Sequence, residues 1–324
     1  MLDMLAIGGI KLDTFIVIED ANVHCALKNR GCELNIRYGE KIPVKDLKTE
    51  VAGSAPNVAI GLARMKQKTG VLSVMGKDLF FPIAKQFLEK NKVSPKYLTA
   101  QTGVNSGFAA VINYKGESTQ LVSQSKTTYT LPKVMPRTKW VHMSELGGNY
   151  AKLFTQLIKE QKRQDLYISF NPGTIQLQER KRVFMSLVKT THVLFLNRKE
   201  AHKLVGSRKD LDIKVLIRKV KRLGPDYVVI TDGRNGAYAF DGGQLDYAPM
   251  FPGDRVEATG AGDAFSSGFL GALMHGKPHR EALMWGSVNA ASVVHEIGPT
   301  KGLLTHSEIQ KRLKANKGYT TKEL

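Results

Sequence analysis

The chain has 324 residues, 42% hydrophobic and 24% charged, with 48 Lys and Arg against 29 Asp and Glu and a formal net charge of +19. Such proportions belong to a globular chain with a sizeable core and exclude a disordered or collagen-like polymer. No apolar run approaches the roughly 20 residues that span a bilayer, and Met4-Leu5-Ala6-Ile7 follows no basic leader, so a cytoplasmic protein without a membrane partner is expected. Cys25 and Cys32 are too few for a disulfide scaffold and are spaced unlike a zinc site, and two reduced thiols are expected. The basic residues are interleaved with apolar ones, as in Arg218-Lys219-Val220-Lys221-Arg222, which predicts a solvated surface that attracts anionic small molecules. No zinc finger, RNP-type strand or helix-turn-helix pattern accompanies them, so no nucleic-acid module is expected.

Residues 5–10 are an apolar run closing in Gly8-Gly9, which reads as a buried first strand. Asp13 follows just past its carboxyl end, where an acid can meet a ligand. From residue 15 to about 51 the pattern becomes short extended pieces with polar breaks, as in a small sheet projecting from the body. A hairpin over 108–122, turning at Lys115-Gly116, can complete that sheet, which reads equally as a lid or a surface meander. Between these, residues 53–65 open with small residues and place Pro56 at a helix start. Asn57 falls in the first turn, where an amide can both donate to and accept from a polyol.

Residues 71–75 read as a strand and 78–91 as a helix; from residue 140 strands and helices alternate through the strand at 227–231. This alternation predicts a parallel sheet with helices on both faces and ligands at the strands' carboxyl ends. Polar clusters fall at those ends: Ser144-Glu145, Asn171, Asn197 with Glu200, and Thr231 with Gly233 and Gly236. Then comes Thr259-Gly260-Ala261-Gly262-Asp263, three small residues and an acid ahead of an apolar helical run. Backbone N–H groups can crowd there toward an anion at a helix N-terminus, and Asp263 can take a proton from an attacking hydroxyl. A plain helix entry capped by Asp263 is the simpler alternative.

Two patterns mislead. Gly271 to Lys277 has the spacing of a phosphate-binding Walker loop, but Pro278 stands where Ser or Thr is needed. His275 and His279 are four apart, yet Gly276 and Pro278 between them end the helix and argue against a metal pair.

Taken in order, Gly8-Gly9 with Asp13, Gly53 with Asn57, Asn197-Arg198-Lys199-Glu200, Thr231 to Gly236 and Thr259 to Asp263 resemble the ribokinase-like (PfkB) carbohydrate kinase family along nearly the full length. The resemblance implies one α/β domain over 1–324: a Rossmann-like, doubly wound, mostly parallel sheet with a β lid from about 15–51 and 108–122. It implies phosphoryl transfer from ATP to a hydroxyl of a sugar or nucleoside, with Asp263 as catalytic base and Gly260, Ala261 and Gly262 as an anion hole. Asn197 and Glu200 would position Mg²⁺, in part through water. Thr231, Gly233 and Gly236 would line the nucleotide with Asn289 near the adenine, and Asp13, Gly53, Asn57 and Glu145 would hold the acceptor. A homodimer through the lid is a further implication. Two departures stand out: Ala52 replaces the first of a glycine pair, and Glu257 stands where many members carry an Asp tied to a monovalent-cation site. The longer side chain counts against activation by K⁺. The absence of an arginine soon after Asn171 counts against an acidic keto-sugar and leaves ribose-like sugars and nucleosides open. A noncatalytic nucleic-acid-binding protein on the same scaffold is the alternative of another class. Such a protein has no need of the base at Asp263.

Overall fold

The computed structural model describes residues 1–25, 32–115, 117–123 and 126–324. The chain begins with β1 (Leu2–Ile7), β2 (Lys11–Ile18), β3 (Asn22–Cys25), β4 (Cys32–Asn35) and β5 (Val44–Ala52). Next come α1 (Ser54–Arg64), β6 (Thr69–Gly76), α2 (Phe80–Lys90), β7 (Val93–Gln101), β8 (Gly107–Tyr114) and β9 (Glu117–Ser123). The alternating stretch holds β10 (Thr138–Met143), α3 (Ala151–Gln164), β11 (Tyr167–Phe170), α4 (Thr174–Glu179), α5 (Arg182–Lys189), β12 (Val193–Asn197), α6 (Arg198–Val205), α7 (Ile213–Lys221) and β13 (Tyr227–Thr231). The carboxyl third adds β14 (Ala237–Phe240), β15 (Leu245–Ala248), α8 (Ala261–Met274), α9 (His279–Val294), α10 (His306–Ala315) and β16 (Lys322–Glu323).

Ten strands form the central sheet in the order β16-β15-β14-β13-β12-β11-β10-β1-β6-β7. From β7 to β13 neighbouring strands run parallel; β14, β15 and β16 extend that edge antiparallel. The parallel strands read as unbroken apolar runs because both of their faces are covered. In β12, Leu194 and Leu196 pack with α3, α5 and α7, while Val193 and Phe195 pack with α8 and α9 on the other face. The chain leaves β1 for β6 on one side and returns to β10 on the other, so the winding reverses at β1. A crevice opens at the carboxyl end of such a reversal.

Over that end stands a second sheet, ordered β5-β2-β8-β9. Phe15, Ala109 and Val111 give it a small core of its own, joined by Ile297 from the body. Its upper strands are thinly covered: every residue of β9 is exposed, as is most of the first half of β5. The expected turn at Lys115-Gly116 includes Gly116, which lies outside the described residues, as do residues 26–31 within the expected lid.

One expectation fails here. Cys25 and Cys32 are joined by a disulfide rather than standing as two free thiols. The two residues face each other across the β3–β4 hairpin, a register that becomes visible only once that hairpin is formed. The histidine reading holds: α8 ends at Met274, and Gly276 takes a left-handed φ of 73°. Among the described residues no cluster of three or more His, Cys, Asp or Glu is disposed to hold a metal, and no helix is long and apolar enough to cross a membrane.

Candidate active site

The start of α8 organises the crevice. Gly260 caps it at φ 81°, a left-handed conformation costly for any other residue, and a Cβ there would lie 2.5 Å from the Pro299 side chain. Of the three small residues expected to make an anion hole, Ala261 already donates its N–H to the Ala258 carbonyl at 3.2 Å. The amides of Gly262 and Asp263 belong to the helix's first turn, whose N–H groups have no intrahelical acceptor. A Cβ on Gly262 would meet nothing within 4 Å, so open space lies beside it.

Asp263, in that turn, accepts a hydrogen bond from Asn57 Nδ2 at 2.8 Å and another from Ser54. Burial pushes its carboxyl up to about 6, with the charge of Glu145 adding to the effect; the bonds from Asn57 and Ser54 and the charge of Lys11 pull the other way. Asn57 reaches it from the first turn of α1 because Gly53, at φ 130°, brings that turn against the link between β1 and β2. A side chain at Gly53 would collide with the Gly9 carbonyl. Gly53 therefore shapes this wall with its backbone.

Asp13, on β2, is 1% exposed, and Lys11 Nζ lies 3.3 Å from its Oδ1. Burial raises the Asp13 carboxyl above the usual aspartate range; Lys11 opposes the shift, and Glu145 and Glu257 add to it. Asn57 Oδ1 is buried without a hydrogen-bond partner, and buried Asp13 Oδ1 has the Lys11 ammonium at 3.3 Å. Unmet acceptors of this kind are costly and mark a place for donor groups from a ligand. Glu145, on the loop after β10, is exposed, and a Cβ added to Gly173 would lie 2.5 Å from its Cβ. The sequence reading passed over Lys11 and Ser54, although both lie inside the motif stretches.

Beyond Gly262 a cavity of about 560 Å³ extends toward the β13–β14 turn. Thr231, Gly233 and Gly236 line it, with Ala261 and Gly262 at its base. Thr231 pairs with Asn197 in register at the ends of β13 and β12. Arg198 braces that turn, donating to Asp232 at 2.9 Å and to Asp210 at 3.0 Å. Asn197 and Glu200 form a reciprocal cap on α6. Asn197 Oδ1 accepts from the Glu200 N–H and Glu200 Oε2 from the Asn197 N–H, each at 2.9 Å. The cap leaves Glu200 Oε1 for other partners. Burial is the main cause that lifts the Glu200 carboxyl above its usual range, against the Asn197 backbone bond and with Glu145 adding. Glu257 turns inward: Oε1 accepts from the Thr259 N–H at 2.7 Å, and Oε2 is buried without a partner.

Asn289 does not line the cavity. Its amide donates to the Ala264 carbonyl at 2.8 Å and to Ser267 Oγ at 3.1 Å, and its oxygen accepts from the Leu304 N–H at 2.9 Å. It is fully buried and ties α9 to α8, so its side chain supports the helix that borders the cavity rather than reaching into it. Ser287, Ala290, Ala291 and Val294 are the residues of α9 that face the cavity.

Comparison with known proteins agrees with this geometry. The chain is 24% identical over 307 residues to a cytidine kinase of Thermococcus kodakarensis, covering 92% of this chain and 98% of the relative. An Arabidopsis thaliana ribokinase solved with ribose and ATP superposes with a TM-score of 0.79 at 20% identity, covering 97% of this chain and 99% of that one. A Burkholderia thailandensis nucleoside kinase in complex with inosine superposes at 0.75 with 17% identity, covering 98% and 99%. The pfkB family carbohydrate kinase model matches residues 14–306, and the chain belongs to that family of phosphotransferases with alcohol acceptors.

Proposed function

We propose that the protein transfers the γ-phosphoryl group of Mg-ATP to a hydroxyl of a ribose-like sugar, with Asp263 as the general base. One observation carries the reading. The Asp263 carboxylate, held by Asn57 at 2.8 Å, follows Gly262 at the base of the 560 Å³ cavity and lies beside the unpartnered Oδ1 of Asn57 and the Asp13 carboxyl paired with Lys11. In this arrangement Asp13 and Asn57 accept hydrogen bonds from the sugar's hydroxyls and aim one of them at the γ-phosphorus. As the new O–P bond forms and the bond to the β–γ bridging oxygen breaks, the hydroxyl proton passes to Asp263 and ADP leaves. A carboxyl held at about 6 is mostly ionised at pH 7 and still basic enough to accept that proton. The first-turn amides of α8 and the positive end of its dipole stabilise charge on the moving group.

Glu200 and Asn197 are hard oxygen donors, and the raised carboxyl of Glu200 is what a nearby cation would relieve, so they fit Mg²⁺ held partly through water. When bound, the ion offsets charge on the β- and γ-phosphates. Three carboxylates, Asp13, Glu145 and Asp263, face the acceptor against one ammonium, that of Lys11. A neutral polyol suits that balance, whereas a phosphate or carboxylate on the acceptor meets like charge. A nucleoside is the second reading, favoured by the cytidine kinase that aligns with nearly all of the chain. Because ATP is the donor, we place the activity in the cytoplasm.

We further assign the sheet of β2, β5, β8 and β9 as a lid that closes over the acceptor and excludes water. Leu47 and Leu121 are exposed on this sheet and offer an apolar surface to a second copy of the chain. ADP release measured with ribose, other neutral sugars, cytidine and inosine tests the assignment. The expected result is a higher kcat/KM for a neutral sugar. The reverse ranking supports the nucleoside reading, and absence of turnover with every acceptor contradicts both.

A further inference from the structure

The excess of positive charge is not spread evenly over the molecule. Between residues 151 and 222 lie eighteen Lys and Arg and only six Asp and Glu, a surplus of twelve out of the net +19. That stretch supplies α3 to α7, which pack their apolar sides into one core and so cover a single face of the central sheet. The helix dipole favours cations near every helix C-terminus, so by itself it would load both faces alike. On the opposite face α1 and α2 have one basic residue each in their last turns, α10 has two and α8 and α9 have none, whereas α7 has Arg218, Lys219 and Lys221.

Connectivity turns this surplus into a row. α3, α5 and α7 each end just before the strand that follows, so their last turns line the amino-terminal edge of the sheet in the order of β11, β12 and β13. Lys162 and Arg163 close α3, Lys189 closes α5, and Arg218, Lys219 and Arg222 close α7; Arg137 and Lys139 extend the row at the start of β10. All eight are exposed. Arg163 is paired with Glu160, while Lys162, Lys189, Arg218, Lys219 and Arg222 make no ion pair among the described residues. Asp165 interrupts the row, and Asp226 is taken up by His192 at 2.8 Å. The row lies at the pole opposite the crevice.

We propose that this edge is a sequence-independent binding surface for a nucleic-acid backbone. Exposed, unpaired cations in a row several helices long match a polymer that carries one negative charge every few ångströms. An acidic membrane fits less well. Inserted apolar side chains add to the electrostatic attraction of a basic surface for acidic lipid, and between residues 137 and 222 only Tyr167 and Val215 are large exposed hydrophobics. The surface is independent of the phosphoryl-transfer site, and occupying it leaves the crevice open.

The test is fluorescence anisotropy with a labelled duplex of mixed sequence, about 30 base pairs long, titrated between 50 and 200 mM salt. Wild type should lose about 10³-fold in affinity over that range, the figure for six phosphate contacts. A variant carrying Lys162→Glu, Lys189→Glu, Arg218→Glu and Arg222→Glu should flatten the logarithmic salt slope by about four while keeping its ATP binding. A control with the same charge change elsewhere, Lys85→Glu, Lys311→Glu, Lys314→Glu and Lys317→Glu, should keep most of the slope. Equal losses in the two variants would reduce the effect to net charge and overturn the assignment. So would binding of phosphatidylserine vesicles without binding of duplex, or no duplex binding by wild type at 50 mM salt.

Discussion

The half of the crevice that we assign to the nucleotide is lined mostly by small and apolar residues, with Arg234, Asp254 and Arg255 among them, whereas the half that we assign to the acceptor presents buried Asp13 and Asn57 and half-buried Lys11 beside Asp263. In the first half the small residues leave room and N–H groups for phosphates, and Arg234 and Arg255 place positive charge on the same lining. The second half discriminates, because each buried polar atom must be met by a matching group or cost free energy. On this assignment the choice of acceptor rests with the second half.

If the division is right, changes in the two halves separate cleanly. The largest effect belongs to Asp263→Asn, which keeps the shape and the contact region while removing the base. The variant should lower kcat by about 10² to 10⁴ and leave ATP affinity nearly unchanged in calorimetry. Asp13→Ala strips one acceptor from the discriminating half. A loss of about 10- to 100-fold in kcat/KM for the sugar, with the KM for ATP unmoved, is expected from the loss of charged hydrogen bonds. Glu200→Gln acts from the nucleotide half. Its Mg²⁺ requirement should rise several-fold, and a change confined to the KM of the acceptor would break the assignment.

The smallest effect is on stability, and its sign follows from the direction of the shift. A carboxyl at about 6 in the fold, against 3.8 ordinarily, favours folding while it is protonated. That contribution is complete below the ordinary value and is lost as pH rises through about 6. Asp263→Asn should therefore melt a few degrees above wild type at pH 8, relative to the gap between them at pH 4. A gap that does not change with pH would mean that Asp263 carries no such shift.

The same division explains what could be read in advance. The parallel body was legible because its strands are apolar runs closed by Gly, Asn or Thr, and because α8 announces itself with three small residues and an acid. β7, with Ser94, Pro95 and Lys96 in its first half, lacks the apolar run of a buried strand, and β14 and β15 have four residues each. The bonds of Asn289 across α8 and α9 were not legible because its partners, Ala264, Ser267 and Leu304, come from other elements. The Cys25–Cys32 bridge depends on a register set by hairpin pairing. Lys11 shows the limit most clearly: two residues from Asp13, it becomes part of the acceptor wall only when β2 turns both side chains the same way. Local motifs carry the nucleotide half, while long-range packing assembles the acceptor half.

The pH dependence of kcat/KM, which reports groups of the free enzyme, bears most directly on Asp263 as the base between the two halves. The account predicts that log kcat/KM rises with unit slope up to about pH 6 and then levels, and that the residual activity of Asp263→Asn shows no such rise. A flat profile for wild type, or a variant with the same midpoint, would contradict it.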